Sequence, residues 1–578
     1  MKNTVEKTFK ILTRKDKKNF IFSIILLQFK SVIEVLGIGL IIPILDFMTN
    51  HQDLNYIFKY LPFLESYKRE QLIFFFIAVF ISVYLLKTLY VIFYSVWINK
   101  FTNNLSVDLT QKVLKKYLEK DYIFFLENNS AYLIRNISSE TGLFALGLVG
   151  NIINSFTQIV FILSTCTFLI LYNIYSIYVF IILIILSSIL VLINNNKFKK
   201  YGEIRLQESA SFLKRVHEVI GSIKEVILYD KKSLSLNEVH NHSKKFAEAN
   251  IFRDVVISFT APIIEFVGIF IFFGFFLFLL NYSTITLEEI VVLFGVFAFA
   301  SLKLLPATTS LIRSVQGIKF NRTACDTIYE ILEGENNINK TQNLGNERLS
   351  EINTLNFEDI SFSYKNHEKL VLKGLNFQLK KGEKIAIVGE TGSGKTTLLN
   401  LISSLLYPKS GKIIINKQKE LDYSSNIRNN IGYVSQSVYL SDNSILFNIT
   451  FQNKISSKEM RDLSSILESL NLNKINNQPI NLESPIGERG AKLSGGQIQR
   501  IGIARALFRD PSIMILDEAT NALDNETEKK ILDYIFKKLD NKIIVLCTHK
   551  KELIKYCDKI IEVKNNEINI ILNINNKK

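Results

Sequence analysis

The run Gly389-Glu390-Thr391-Gly392-Ser393-Gly394-Lys395-Thr396-Thr397 fits the spacing G-x-x-x-x-G-K-[ST]. It follows the apolar stretch KIAIV and leads into LLNLI, so it reads as a strand, a glycine loop and a helix start. Such a loop closes its backbone N–H groups round phosphate oxygens at the positive end of a helix. In this pattern Lys395 reaches the β and γ oxygens of a nucleoside triphosphate, and Thr396 offers a hydroxyl to Mg2+. Downstream, the apolar strand IMIL ends in Asp517-Glu518. Asp517 stands where it would hold magnesium through water, and Glu518 where it would orient or deprotonate an attacking water. Tyr364 in FEDISFSYKN offers a flat ring for a base to stack on, Gln436 closes the strand IGYVSQ, and His549 closes IIVLCTH. A lone histidine in that place is more often structural. The chemistry implied is nucleotide hydrolysis on a P-loop, which leaves open what the hydrolysis drives.

These side chains need a scaffold, and 578 residues are too many for one core. Six segments near 20–48, 72–98, 144–171, 174–194, 255–281 and 287–309 reach the length that crosses a bilayer, about 20 apolar residues. The short links at 172–174 and 281–286 carry no Lys or Arg, whereas the N-terminus and the links around 99–142 and 195–254 carry many. The positive-inside rule then puts both termini and both long links in the cytoplasm. Buried helices of a soluble protein would show no such asymmetry. Helical periodicity continues into the long links, so the membrane helices are expected to extend into the cytosol. Their turning points, near Phe124–Ser130 and Gly221–Tyr229, are where a cytosolic partner would grip. The outer link NHQDLNYIFKYLPFLESYKRE has an amphipathic middle, although an ordinary loop is the plainer reading.

The net charge of +15 follows from the same loop lysines and arginines, and no nucleic-acid recognition module accompanies it. Cys166, Cys325, Cys547 and Cys557 have neither metal spacing nor a disulfide framework, which suits a reducing compartment. The first apolar run continues beyond the length of a signal peptide and lacks a small-residue cleavage site.

Between the glycine loop and Asp517, KLSGGQIQRIGIARAL places Leu493-Ser494-Gly495-Gly496-Gln497, and NALD (Asn521–Asp524) follows Glu518. This order, over 354–565, resembles the ATP-binding cassette of ABC transporters. The resemblance implies an all-α six-helix transmembrane domain (1–332), a polar linker (333–353) and an α/β P-loop ATP-binding cassette domain (354–578). It implies the cofactors ATP and Mg2+, with Tyr364, Gly389–Thr397 and Ser494–Gln497 on the nucleotide and Thr396, Gln436 and Asp517 at the metal. Glu518, His549, Gln436 and Lys395 are then the catalytic group, and Gly487–Gly490 resembles the X-loop of exporters. One P-loop and one LSGGQ per chain imply a homodimer in which Ser494 and Gly496 complete the partner's site. Ser435, Asn521 and Lys550 depart from residues usual in the family, and none removes a catalytic functional group. Six spans preceding one cassette resemble a half-transporter of the type IV exporter fold.

Charges inside spans are costly and point to function. Lys30 and Glu34 lie one helical turn apart in the first span, Lys87 lies in the second, Glu265 in the fifth and Lys303 in the sixth. Snorkelling or intramembrane pairing is the alternative for each. VIEVLGIGLIIPILDFM and LKLLPATTSLI, with the basic LTRKDKKNF ahead of them, resemble PglK-type flippases of lipid-linked oligosaccharides and related surface-polysaccharide exporters. That likeness implies an anionic undecaprenyl-pyrophosphate glycan, moved across the bacterial inner membrane, with Lys87 and Lys303 as substrate residues. Lys30 and Glu34 are further substrate candidates on a polar face of the first span, where their own pairing is the reading ahead of direct substrate contact. A drug, lipid or peptide exporter on the same scaffold is the first alternative, and an ATP-gated channel or regulator is the second.

Overall fold

The computed structural model describes residues 2–49, 62–64, 66–193, 195–282, 287–334, 351–364, 369–417, 419–421, 427–475 and 478–572. Most of the outer link after the first span, and most of the linker 333–353, lie outside these residues. The chain divides into two compact units: 1–119 with 128–336, and 120–127 with 337–578.

The first unit is helical throughout. Helix α1 (Lys2–Ile11) is followed by α2 (Arg14–Gly39), opened by a reciprocal capping box between Thr13 and Asp16. A break at Leu40 separates α2 from α3 (Ile41–Thr49). Pro43 explains it: proline has no N–H to donate to Gly39, and its ring clashes with that carbonyl. Then come α4 (Arg69–Leu118), α5 (Tyr122–Glu127), which belongs to the other unit, and α6 (Ser130–Arg135). Two π-helical segments, Asn136–Glu140 and Leu143–Val149, lead into α7 (Gly150–Tyr172) and the apolar α8 (Ser176–Ile193). The unit closes with α9 (Asn195–Gly221), α10 (Ile223–Leu228), α11 (Lys232–Tyr282), α12 (Leu287–Phe320) and α13 (Arg322–Glu333).

Among the described residues five helices are long and apolar enough to cross a membrane: Arg14–Leu45, Glu70–Leu118, Leu143–Tyr172, Lys232–Leu280 and Ile290–Phe320. The fourth expected span is the shorter apolar stretch Ser176–Leu190. The 50 residues of α4 extend about 75 Å at 1.5 Å per residue, well beyond a hydrocarbon core of about 30 Å. Along it Phe74, Ile81, Leu85, Leu89 and Ile92 are all exposed, as suits a surface whose solvent is lipid.

Beside the π segments lies a buried ion pair. The Arg205 guanidinium donates to both oxygens of Glu140, at 3.1 and 3.0 Å, and to the Thr323 hydroxyl at 3.2 Å. Arg135 donates to the Leu206 carbonyl at 2.8 Å beside the same carboxylate. Glu140 is wholly buried, so removing its partner strands a charge. Arg205→Met is expected to destabilise the folded chain by about 3–5 kcal/mol, read as a lower denaturation midpoint in detergent. An unchanged midpoint would show that Glu140 does not depend on Arg205.

In the second unit, β1 (Thr354–Phe362), β2 (Leu372–Lys380), β4 (Ser410–Ile415) and β5 (Lys419–Glu420) form an antiparallel sheet, ordered β2-β1-β4-β5. The larger sheet takes β3 (Lys384–Gly389), β6 (Ile431–Val434), β9 (Ile513–Asp517), β10 (Ile543–Cys547), β11 (Lys559–Lys564) and β12 (Glu567–Leu572). Its order is β12-β11-β3-β10-β9-β6, parallel except for the edge strand β12. A separate two-residue pair joins β7 (Lys474–Ile475) to β8 (Gln478–Pro479). Every residue of β9 and β10 is buried, which is why both read as unbroken apolar runs. Helices α14 (Lys395–Ile402), α15 (Ile445–Thr450), α16 (Ser457–Ser469), α17 (Gly495–Phe508), α18 (Asn525–Lys538) and α19 (Lys551–Ile554) complete the unit. Segment α5, one of the expected cytosolic turning points, joins this unit: Ile123 packs on the apolar cluster that contains Ile431 and Ile385.

Candidate functional site

The parallel sheet delivers its chemistry at one edge. Gly389 ends β3, Asp517 ends β9 and Cys547 ends β10, with Cys547 in register with both Asp517 and Ile387. Open α/β sheets bind ligands beyond the carboxyl ends of their strands. A cavity of about 810 Å³ lies there, and Tyr364, Thr391, Gly392, Gly394, Lys395, Thr396, Thr397, Gln436, Asp517, Glu518 and His549 all line it.

The loop is built for close approach. At Gly389 a Cβ would come within 2.5 Å of the Val563 carbonyl oxygen, so no side chain fits. Gly394 caps α14 at φ 106°, a left-handed conformation that glycine adopts without steric cost. The Lys395 ammonium donates to the carbonyls of Gly389 at 2.8 Å and Glu390 at 3.0 Å, folding back over its own loop. The Ser393 hydroxyl is buried without a hydrogen-bond partner among the described residues. The Tyr364 hydroxyl lies 3.2 Å from that of Thr397, and its ring meets Phe362 edge-on.

Opposite the loop, Glu518 is held from three sides. Gln436 Nε2 donates to Glu518 Oε2 at 2.8 Å and Asn521 Nδ2 donates to the same oxygen at 3.0 Å. His549 Nε2 stands 3.5 Å from Oε1. The Glu518 backbone has φ 48° and its N–H donates to the Cys547 carbonyl, which turns the side chain off the strand end into the cavity. Asp517 accepts from the Tyr433 hydroxyl at 3.0 Å. Burial raises the Asp517 carboxyl above the usual carboxylate range, against the pull of that hydroxyl. Burial likewise pushes the Cys547 thiol up to about 12, so this cysteine is a packing residue.

Sequence reading missed Tyr433, a β6 residue just upstream of the noticed Gln436, which lies past the strand's end, and it gave Asn521 no role. Lys550 proves to pair with the buried Glu528 through two contacts of 2.8 Å, tying the His549 segment to α18. Ser494 to Gln497 do not line the cavity of their own chain. Ser494 is the N-cap of α17, with a capping box to Gln497, and both Ser494 and Gly495 are exposed. Gln499 of the same helix accepts from the Ala522 N–H at 2.9 Å, joining α17 to the Asn521–Asp524 turn.

In the helical unit the intramembrane charges converge from three helices. Lys87 Nζ of α4 is 3.2 Å from Glu34 Oε1 of α2, and Lys30 is 3.9 Å from the same oxygen. Lys87 stands 5.0 Å from the centre of the Tyr84 ring, and Lys303 of α12 stands 5.5 Å from it. Glu34 therefore pairs more closely with a lysine of another helix than with its neighbour one turn away. Among the described residues Glu265 joins none of the ion pairs and is exposed on α11.

A P-loop fold whose strand ends carry an acid pair, joined in one chain to a unit of membrane-length helices, defines a membrane-bound nucleotide hydrolase. Residues 372–521 match the family described as ABC transporter, and residues 20–302 match the ABC transporter transmembrane region. The chain belongs to the ABC transporters, as a half-transporter that couples ATP hydrolysis to transport. It is 27% identical over 461 residues (78% of the chain, 77% of the relative) to the ATP-dependent lipid A-core flippase 2 of Colwellia psychrerythraea. Identity to the ATP-dependent lipid A-core flippase of Vibrio cholerae is 30% over 368 residues, 62% of the chain and 60% of that protein. The fold is that of a solved bacterial Atm1-family ABC exporter with ATP bound, at TM-score 0.78 and 17% identity, covering 97% of this chain and 96% of that one.

Proposed function

We propose that this chain works as a homodimeric, ATP-driven lipid flippase of the bacterial inner membrane, moving an amphiphile whose headgroup carries phosphate. The finer reading is a lipid-linked oligosaccharide on undecaprenyl pyrophosphate or a related surface-polysaccharide precursor. The observation that carries the phosphate is the meeting of Lys30 and Lys87 at the Glu34 carboxylate, with Lys303 beside them over the Tyr84 ring that Lys87 also faces. Lipid tails give lysines nothing to bind, so such a group is retained for an anion that passes it. A lipid A-core glycolipid is the second reading, favoured by the names of the relatives, and it is phosphate-bearing as well.

Glu518 is the general base in this reading. Lys395 binds the terminal phosphates, Gln436 and His549 hold Glu518 and the attacking water in line, and Tyr364 stacks on the base. The Ser393 hydroxyl is an unspent donor for a phosphate oxygen. Thr396, Gln436 and Asp517 present the oxygen ligands that Mg2+ prefers and line the same cavity, so the site fits that ion. When bound, Mg2+ neutralises charge building on the phosphates.

The test is ATP-dependent flipping in proteoliposomes, with a fluorescent lipid-linked oligosaccharide in one arm and a fluorescent lipid A-core in the other. Transport in the first arm supports the finer reading, and transport in the second alone replaces it. No transport in either, with hydrolysis stimulated by uncharged drugs instead, would sink the phosphate reading. Lys303→Ala is expected to lower flipping about tenfold, the worth of one lost charge contact, while basal hydrolysis falls far less. Equal loss of both would assign Lys303 to the structure.

A further inference from the structure

We infer that Glu34 is a resident counter-anion that sets the charge a headgroup must carry to be accepted. The inference rests on the phosphate reading of the lysine cluster and adds a selection rule to it.

The charges can be counted. Lys30, Lys87 and Lys303 contribute three positive charges and Glu34 one negative, an excess of two per chain, with Lys30 and Lys87 at Glu34 and Lys87 and Lys303 over Tyr84. Glu34 is only 14% exposed and has Lys87 at 3.2 Å, close enough for a charge-assisted hydrogen bond. Lys303 is within electrostatic reach of both Lys87 and Glu34 and stands over the Tyr84 and Phe299 rings. With Lys87 the nearer partner of Glu34, the charges of Lys303 and of Lys30, 3.9 Å from that carboxylate, are thus what the cluster still offers.

A bilayer is full of competitors for such a site, because many of its own lipids carry one negative charge. A headgroup with a single charge gains little here. To approach Lys87 it must displace Glu34, and to stay it must tolerate that carboxylate nearby. A phosphomonoester or diphosphate brings two or more charges, which matches the excess of two and leaves Glu34 outvoted. The carboxylate therefore costs every anion some affinity, and only multiply charged headgroups recover it. It also keeps three lysines from lying bare against one another between transport cycles.

The experiment uses the full homodimer in phosphatidylethanolamine proteoliposomes, with and without phosphatidylglycerol as the singly charged competitor. Hydrolysis is titrated with undecaprenyl diphosphate or lipid A, whichever stimulates the wild type. Wild type should be indifferent to phosphatidylglycerol. Glu34→Gln should lower the half-stimulating concentration about tenfold and make it sensitive to phosphatidylglycerol, while Glu34→Asp should behave as wild type. Comparing Lys30→Gln with the double variant Lys30→Gln/Glu34→Gln measures the same step without leaving three lysines unpaired, should the single variant fold poorly. Tightening in either comparison, with new sensitivity to phosphatidylglycerol, supports the filter. A half-stimulating concentration that stays or rises in both would overturn it and make Glu34 a structural anchor. A wild type that answers to neither phosphate lipid would remove the phosphate reading itself, and the filter with it.

Discussion

Replacing Glu518 by Gln is expected to lower steady-state ATP hydrolysis by about 10³-fold, within the span that general-base removal produces, while ATP still binds. The change is nearly isosteric. The backbone at Glu518 already sits at φ 48°, and glutamine meets the same conformational cost there as glutamate. An amide oxygen can still accept from Gln436 and Asn521, which now donate to Oε2 at 2.8 and 3.0 Å. What is lost is the basic lone pair facing the water, so the defect falls on chemistry and spares binding. Phosphate release at saturating ATP, beside equilibrium binding of a fluorescent ATP analogue, separates the two. Rapid turnover by the variant would move the base elsewhere, and loss of binding would make Glu518 part of the loop's architecture. If nucleotide holds a closed cassette pair together in the proposed homodimer, the variant should also accumulate as that pair.

The second large effect concerns where Ser494 acts. Lys395→Ala and Ser494→Arg are each expected to abolish hydrolysis when present in every chain. Mixed in equal amounts and allowed to exchange, they should recover about a quarter of the wild-type rate. The reason is geometric. Ser494 and Gly495 are exposed and absent from the cavity that Lys395 lines, so a chain's Ser494 is not placed on its own site. If it serves the partner's site instead, a mixed dimer holds one site with both defects and one with neither. If each chain used its own Ser494, every site in the mixture would be defective and no activity would return. Measured hydrolysis after co-reconstitution decides between the two.

Both expectations were reachable from the sequence because the cassette spells its chemistry in short local runs. A P-loop must follow a strand and open a helix, and a base must end a buried strand, so Gly389–Thr396 and Asp517-Glu518 carry their geometry with them. Contacts that join distant runs carry no such signature. Tyr433 reaches Asp517 because β6 lies beside β9, and Asn521 reaches Glu518 because a turn brings it back. Nothing in either residue's neighbours in the chain announces that pairing. The break after Gly39 was written in Pro43 but passed unseen inside an otherwise continuous apolar run. The π segments at 136–149 have no compositional mark, since their hydrogen bonds shift by one residue without a change of residue type.

The membrane charges show where the division falls. Sequence alone determined that Lys30 and Glu34 share a helix face, because a period of 3.6 residues fixes that for any helix. It also determined that charges at such depth have to meet something other than hydrocarbon. It left open whether Glu34 is Lys30's partner or someone else's. Only the packing of α2, α4 and α12 decided that Lys87 is the nearer cation and that Lys303 joins across Tyr84. Helix contacts of that kind depend on crossing angles and on every side chain along the seam, and these are properties of the folded bundle that no single helix contains.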